Sequence, residues 1–213
     1  MSLKVLIADD HFPVRFGLEI LTKEVLGANA KIDFASDFNS VVEIIELQEY
    51  DLLLSDIVMP GMDCMTMMTQ VLKLRPNLKI LLVSVNPKEV FALRYMNAGA
   101  YGYVCKTDSD EELKKAIRNI YLGKRYYPEG VLENRNMLVK GKKVNSLFDL
   151  LSQREFAVMM LLLEGKGIIE IANALALNPS TASTYRGRIF EKLKVKSLIE
   201  LSNLAREYKF SIE

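Results

Sequence analysis

Five short apolar runs, at residues 3–8, 30–34, 51–55, 79–84 and 101–104, recur through the first part of the chain, and segments with helical spacing lie between them. Alternation of this kind leaves little choice of architecture: it predicts a parallel sheet with helices packed on both faces. Strands buried on both faces read as unbroken apolar runs rather than as alternating patterns, as Leu52-Leu53-Leu54, closed by Asp56, does. The punctuation agrees. Pro13 fits the first turn of a helix that Gly27 stops, Asp37 or Asn39 can cap a second, and Asp63 opens a third that ends before Pro76. Pro87 opens a fourth that closes near Gly99, and Asp108 or Ser109 starts a fifth that runs to Gly123. Five such units make a doubly wound domain of about 125 residues, an ordinary size.

In such sheets chemistry collects where the strands end at their carboxyl edge. The first run ends in Asp9 and Asp10, the third in Asp56, the fourth in Ser84 and the fifth in Lys106. Neighbouring strands would bring three carboxylates into one crevice, which like-charge repulsion disfavours unless a cation sits among them. Oxygen-only donors, few in number and open to water, suit Mg²⁺ better than zinc or a dedicated calcium cage. A strand-terminal Asp also serves simply to cap the helix that follows. Three at two strand ends, with a hydroxyl and an ammonium at two more, favour the shared crevice.

At 213 residues the chain is long enough for two modest domains, and 50% apolar content supports real cores. A net charge of +1 excludes nothing. Cys64 and Cys105 lack metal-ligand spacing and fit a reducing compartment in which thiols are bystanders. No apolar stretch approaches the ~20 residues that span a bilayer, and the N-terminus does not read as a leader, so a cytoplasmic protein without a membrane partner is expected. His11, the only histidine, reads as a loop residue beside the acidic pair. The methionines at 59, 62, 65, 67 and 68 read as adaptable packing, or as a partner-facing surface close to Asp56.

The residues Ala8 to His11, Ser55 to Gly61, Ser84, and Gly99 to Lys106 together resemble the receiver domain of bacterial two-component response regulators, over roughly residues 3–123. The resemblance implies a flavodoxin-like sheet of strand order 2-1-3-4-5. It implies Asp56 as phosphoacceptor, Asp10 as a direct Mg²⁺ ligand, Asp9 as a ligand through water, and the Val58 carbonyl as the remaining protein ligand. Ser84 and Tyr103 resemble the family's switch pair, in which a hydroxyl moves to the phosphoryl group and the aromatic ring turns into the vacated space. The chemistry suits the residue types, because a carboxylate can attack a phosphoryl group in line when a divalent cation and a Lys absorb the charge. Thr107 stands where many receivers have Pro after the Lys, so a cis peptide is not expected there.

Residues 124–148, with Pro128, Gly130 and the basic stretch Lys140–Lys143, read as a linker, with a short apolar helix over 130–138. From Leu151 the pattern is helical. Ser152 with Glu155 makes a capping box, Gly165 ends that helix, residues 168–175 form a short one, Asn178-Pro179 starts a longer one to about Leu193, and Ser197 opens a last. Short helix, turn and longer helix make a helix-turn-helix. Between 178 and 197 the cations Arg186, Arg188, Lys192, Lys194 and Lys196 face one anion, Glu191, which supplies a phosphate-binding side.

Residues 149–205, through Leu151 to Glu155, Glu170 to Ala172, Tyr185-Arg186 and Lys192 to Ser197, resemble the LuxR-type (NarL/FixJ) C-terminal domain, in a C-terminal region taken as 149–213. The resemblance implies base-facing positions at Ser183, Thr184 and Gly187, with Arg186, Arg188 and Lys192 on the phosphate backbone. Short side chains at 183 and 187 predict weak direct readout. Lys194 replaces the Gly usual in the turn that follows. The expected protein is a DNA-binding regulator, phosphorylated at Asp56 by a sensor histidine kinase and paired as a homodimer on double-stranded DNA. A signalling adaptor whose helical domain no longer binds DNA is the alternative. A phosphatase with paired aspartates would instead turn over many times, and is the least expected.

Overall fold

The structure, a computed structural model, describes residues 3–129, 131, 147–208 and 210. Five strands, β1 (Lys4–Ala8), β2 (Lys31–Ala35), β3 (Leu52–Ser55), β4 (Lys79–Ser84) and β5 (Gly102–Cys105), pair in parallel in the order 2-1-3-4-5. Between and after them run α1 (Phe12–Leu26), α2 (Phe38–Leu47), α3 (Cys64–Leu74), α4 (Lys88–Asn97) and α5 (Asp110–Tyr121). The fold class and strand order are those expected, with strand ends displaced by one residue at most sites.

Because side chains alternate across a strand, each strand feeds two cores. Val5, Ile7, Leu52, Leu54, Leu81 and Val83 meet α1 and α5 through Leu18, Leu113, Ile117 and Ile120. Leu6, Ala8, Leu53, Ile80, Leu82 and Tyr103 meet α2, α3 and α4 through Val41, Met67, Met68, Val71 and Phe91. The caps do their local work. Asp37 accepts from Ser40 N, Asp63 from Thr66 N and Ser109 from Glu112 N, each supplying an acceptor to a helix start that the helix itself cannot satisfy. No peptide among the described residues is cis.

After α5 the chain does not leave the sheet at once. Tyr126 forms a bridge to Gly102 at the β5 edge, and its N–H donates to Tyr101 O at 2.9 Å. The helix expected over 130–138 and the basic stretch Lys140–Lys143 lie outside the described residues.

A 3₁₀ turn (Leu147–Leu150) leads into four helices: α6 (Gln153–Leu163), α7 (Ile168–Ala174), α8 (Pro179–Leu193) and α9 (Leu198–Glu207). The capping box is formed in both directions, with Ser152 Oγ accepting from Glu155 N and Glu155 Oε2 from Ser152 N. Lys194, standing where a Gly is usual, closes α8 in the left-handed conformation at φ 57° and ψ 38°. No described helix is long and apolar enough to cross a membrane. The apolar core of the α2–α3–α4 side runs on without a break into α6 through Phe91 and Phe156, whose rings meet edge to face at 5.2 Å.

Candidate functional site

The parallel ladder continues one residue past the strand ends, and those bonds place the polar groups. Asp56 N donates to Ala8 O at 2.8 Å, setting the residue after β3 beside the residue after β1, and Lys106 N donates to Ser84 O at 2.7 Å. Asp9, Asp56, Ser84 and Lys106 therefore share one edge, at three junctions between neighbouring strands. Their side chains converge. Lys106 Nζ lies 2.5 Å from Asp56 Oδ2 and 2.7 Å from Asp9 Oδ2, bridging two carboxylates that are themselves buried.

The contact with Asp56 is a hydrogen bond, whereas the contact with Asp9 Oδ2 is an ion pair without hydrogen-bond alignment. Asp56 Oδ1 accepts from Ile57 N at 2.6 Å and Asp9 Oδ1 from His11 N at 2.9 Å. Arg15 Nη1 donates to the Asp9 carbonyl at 2.5 Å, so the first turn of α1 grips the acidic loop.

Asp10 is placed differently. It is exposed, and its Oδ1 lies 2.8 Å from His11 Nδ1. Ligand atoms of Asp9, Asp10 and His11 lie within 4.8 Å of one another. Val58, half-buried, follows Asp56 in the loop that leads to α3.

Burial raises the Asp56 carboxyl above its ordinary range; Lys106 opposes this and the like charge of Asp9 adds to it. Burial alone would lower the Lys106 ammonium, but Asp56 and Asp9 together hold it above its usual value. Two buried carboxylates against one ammonium, with the exposed Asp10 beside Asp9, leave the crevice short of positive charge. An all-oxygen set with that deficit, two of its members desolvated, fits a small hard divalent cation.

Ser84 is fully buried at the end of β4, and its Oγ accepts from Asn86 N at 3.2 Å. Tyr103 on β5 is fully buried too, with its hydroxyl donating to Asn86 O at 2.8 Å; burial lifts that phenol well above its usual range. The two side chains of the expected switch thus hold the backbone of one residue, Asn86, by its N–H and its carbonyl. Arg15 and Asn86 were not singled out from sequence, because an Arg in a first helical turn and an Asn in a loop carry no signal without the fold.

The second site is α8. Its inward residues Ala182, Ile189 and Leu193 are buried against α6 and α7, while Ser183, Thr184, Arg186, Gly187, Arg188 and Lys192 are exposed. α7 and α8 are joined by the four residues Leu175 to Asn178, with Ala176 at φ 50° and the Leu175 carbonyl held by Arg154 at 2.5 Å. Lys192 has an internal partner, Glu155 Oε2 at 2.6 Å, which sequence alone did not show. The rest of the outward face has no cover from the N-terminal domain.

Comparison with known proteins agrees with this division. Residues 5–118 match the response regulator receiver domain, and residues 149–205 match the bacterial regulatory proteins of the luxR family. The response regulator GacA of Pseudomonas syringae pv. syringae (strain B728a) is 34% identical, over 95% of this chain and 95% of that protein. The response regulator UvrY of Escherichia coli (strain K12) is 30% identical, over 95% of this chain and 93% of that protein.

Among solved structures, RcsB from Salmonella enterica serovar Typhimurium, bound to promoter P1flhDC with the phosphomimetic BeF3−, superposes with a TM-score of 0.79 at 25% identity, covering 97% of this chain and 100% of that one. A structure of two RcsB dimers bound to two parallel DNAs gives 0.59 at 25% identity, covering 97% and 98%. A receiver sheet with its acidic crevice and a helix-turn-helix with an outward basic face, each matched separately and together along almost the whole length of GacA and UvrY, place this chain in the family of LuxR-type two-component response regulators.

Proposed function

We propose that the chain is a phosphorylation-controlled DNA-binding regulator, in which residues 1–123 receive a phosphoryl group at Asp56, residues 124–148 connect, and residues 149–213 bind DNA. The observation that carries the reading is the Lys106 ammonium bridging the Asp9 and Asp56 carboxylates in a chain that also presents an uncovered α8. Asp9, Asp10, Asp56 and the Val58 carbonyl would hold Mg²⁺, whose contribution is to neutralise charge on the transferring oxygens.

The protein's own groups do the rest. A carboxylate oxygen of Asp56 forms the new bond to phosphorus as the bond to the donor's imidazole nitrogen breaks, the donor being a sensor histidine kinase. Lys106, already beside Asp56, turns its charge to the incoming phosphoryl oxygens. Ser84 releases Asn86 N and donates its hydroxyl to one of those oxygens. Tyr103 is already buried, with its hydroxyl on Asn86 O. Each chain accepts one phosphoryl group, and the chain is not a turnover enzyme.

On DNA, Ser183, Thr184 and Gly187 meet base edges while Arg186 and Arg188 hold phosphates; Lys192 contributes after leaving Glu155. The likeness to RcsB, seen as dimers on DNA, supports a homodimer on two half-sites, and the cytoplasm is its expected place of action. Fluorescence anisotropy of labelled duplex DNA tests this. Binding that weakens steeply with salt, strengthens with beryllofluoride and Mg²⁺, and shows a salt slope shallower by about two in Arg186→Ala/Arg188→Ala is expected. No binding at low salt would favour the adaptor reading, for which the short side chains at 183 and 187 speak.

A further inference from the structure

The junction between the two domains is built around one half-buried cation. Arg94, on α4, sets its guanidinium 4.2 Å from the centre of the Phe156 ring and donates through Nη2 to Phe148 O at 2.9 Å and Leu151 O at 2.8 Å. A partly desolvated guanidinium is stabilised by such partners, and these come from the far side of the junction: two carbonyls at the 3₁₀ turn and an aromatic face. Aromatic rings close round it. Phe210, beyond the end of α9, packs on Phe91 of α4 at 4.9 Å and on Phe148 at 4.6 Å, and all three are buried. Phe148 and Phe210 lie just outside residues 149–205, the stretch matched to the luxR family, so residues that flank that domain at either end join Leu151 and Phe156 inside it in the contact.

α4 also adjoins the switch pair. It follows the loop carrying Asn86, and its Tyr95 is buried close to both Cys64, at the start of α3, and Tyr103. With α4 so engaged on both sides, the exposed face of α8 still points to solvent.

We propose that Arg94, Phe148 and Phe210 form an intrachain latch that fixes the C-terminal domain on α4 with α8 uncovered, so that the latch holds a binding-competent arrangement and passes the state of the Asp56 crevice to it. It therefore acts in the opposite sense to a contact that masks the DNA-binding helix. The inference rests on the proposed function for its DNA readout, but not for its structural one.

The test uses the full chain in three forms: wild type, Arg94→Ala and Phe210→Ser, with Phe210→Leu as the conservative control and amide spectra to show that each is folded. Arg94→Ala acts from the receiver side, so it leaves the aromatic packing of the C-terminal domain in place if Phe210→Ser does not fold. Backbone ¹⁵N relaxation should give one tumbling time for both domains in wild type and Phe210→Leu, and two in Arg94→Ala and Phe210→Ser. Duplex affinity is then measured with and without beryllofluoride. The wild-type gain, about fivefold or more for an ordinary coupling, should fall to about one in the unlatched variants. Separate tumbling in wild type, common tumbling in Arg94→Ala, or an undiminished gain in the separately tumbling variants would each overturn the proposal. If wild type binds no duplex at all, the reading of the C-terminal domain fails instead, and the tumbling comparison alone judges the latch.

Discussion

Replacing Lys194 by Gly should make the protein more stable, although it removes a charge and a long side chain. Lys194 ends α8 at φ 57° and ψ 38°, with its N–H closing on Glu191 O at 3.2 Å and Val195 N on Phe190 O at 3.0 Å. The turn needs that conformation, and an L-residue adopts it at a cost of roughly 1–2 kcal/mol. Glycine removes the cost but loses roughly 0.5–1 kcal/mol to the greater freedom of its unfolded chain. The net gain is therefore about 0.5–1 kcal/mol, since the Lys194 side chain is exposed and forms no described hydrogen bond or ion pair. If the C-terminal helices melt alone, that is about 2–8 °C in Tm; if they melt with the receiver, about half as much. Differential scanning calorimetry of wild type, Lys194→Gly and Lys194→Ala without DNA separates backbone from side chain. The Ala variant keeps the Cβ and should gain nothing. Equal melting temperatures for the Gly and Ala variants would refute the backbone argument.

Three further changes probe other links. Asp37→Ala removes the acceptor for Ser40 N at the start of α2 and should cost about 1 kcal/mol in urea unfolding, with Asp37→Asn nearly neutral. Glu155 is held below the ordinary carboxylate range: burial alone would raise it, but Lys192 and the Ser152 N–H outweigh burial. A depressed carboxyl stabilises the fold at neutral pH and loses that stabilisation as pH falls through its folded value. Glu155→Gln should therefore trail wild type by about 2 kcal/mol at pH 7, and the gap should close below about pH 4, as followed by denaturant melts across pH. Lys106→Met strips the counter-charge from two buried carboxylates and should cost about 3 kcal/mol in EDTA, while making Mg²⁺ bind more tightly. Thermal melts with EDTA or graded MgCl2 would show both effects, and a variant as stable as wild type in EDTA would count against the bridge.

The sheet was readable because its signals are local. The inner strands β1, β3 and β4 are short apolar runs whatever they pack against, whereas the edge strand β2 is mostly exposed, and Asp37, Asp63, Ser109, Ser152 and Ser197 each mark a helix start through a bond made within the next few residues. The crevice was readable because strand ends are local too, and the strand order alone brings Asp9, Asp56 and Lys106 together. Contacts across long sequence distance left no such trace. Arg94 reads as one more charge on a helix, and only the folded chain shows it under Phe156 with the carbonyls of Phe148 and Leu151. Tyr126 reads as linker, yet it extends the β5 edge and buries its ring on the α5 side of the sheet. The bond from Lys192 to Glu155 joins residues 37 positions apart, and the cation's place in a basic run hid it.

The proposed function makes the carboxylate held by Lys106 the group that accepts phosphorus. Intact-mass spectrometry of the full chain after acetyl phosphate and Mg²⁺ measures it directly. Wild type should gain the mass of one phosphoryl group, and Asp56→Asn, with its fold intact by circular dichroism, should gain none. A wild-type chain that stays unmodified, or an Asp56→Asn chain that still takes up the group, would contradict it.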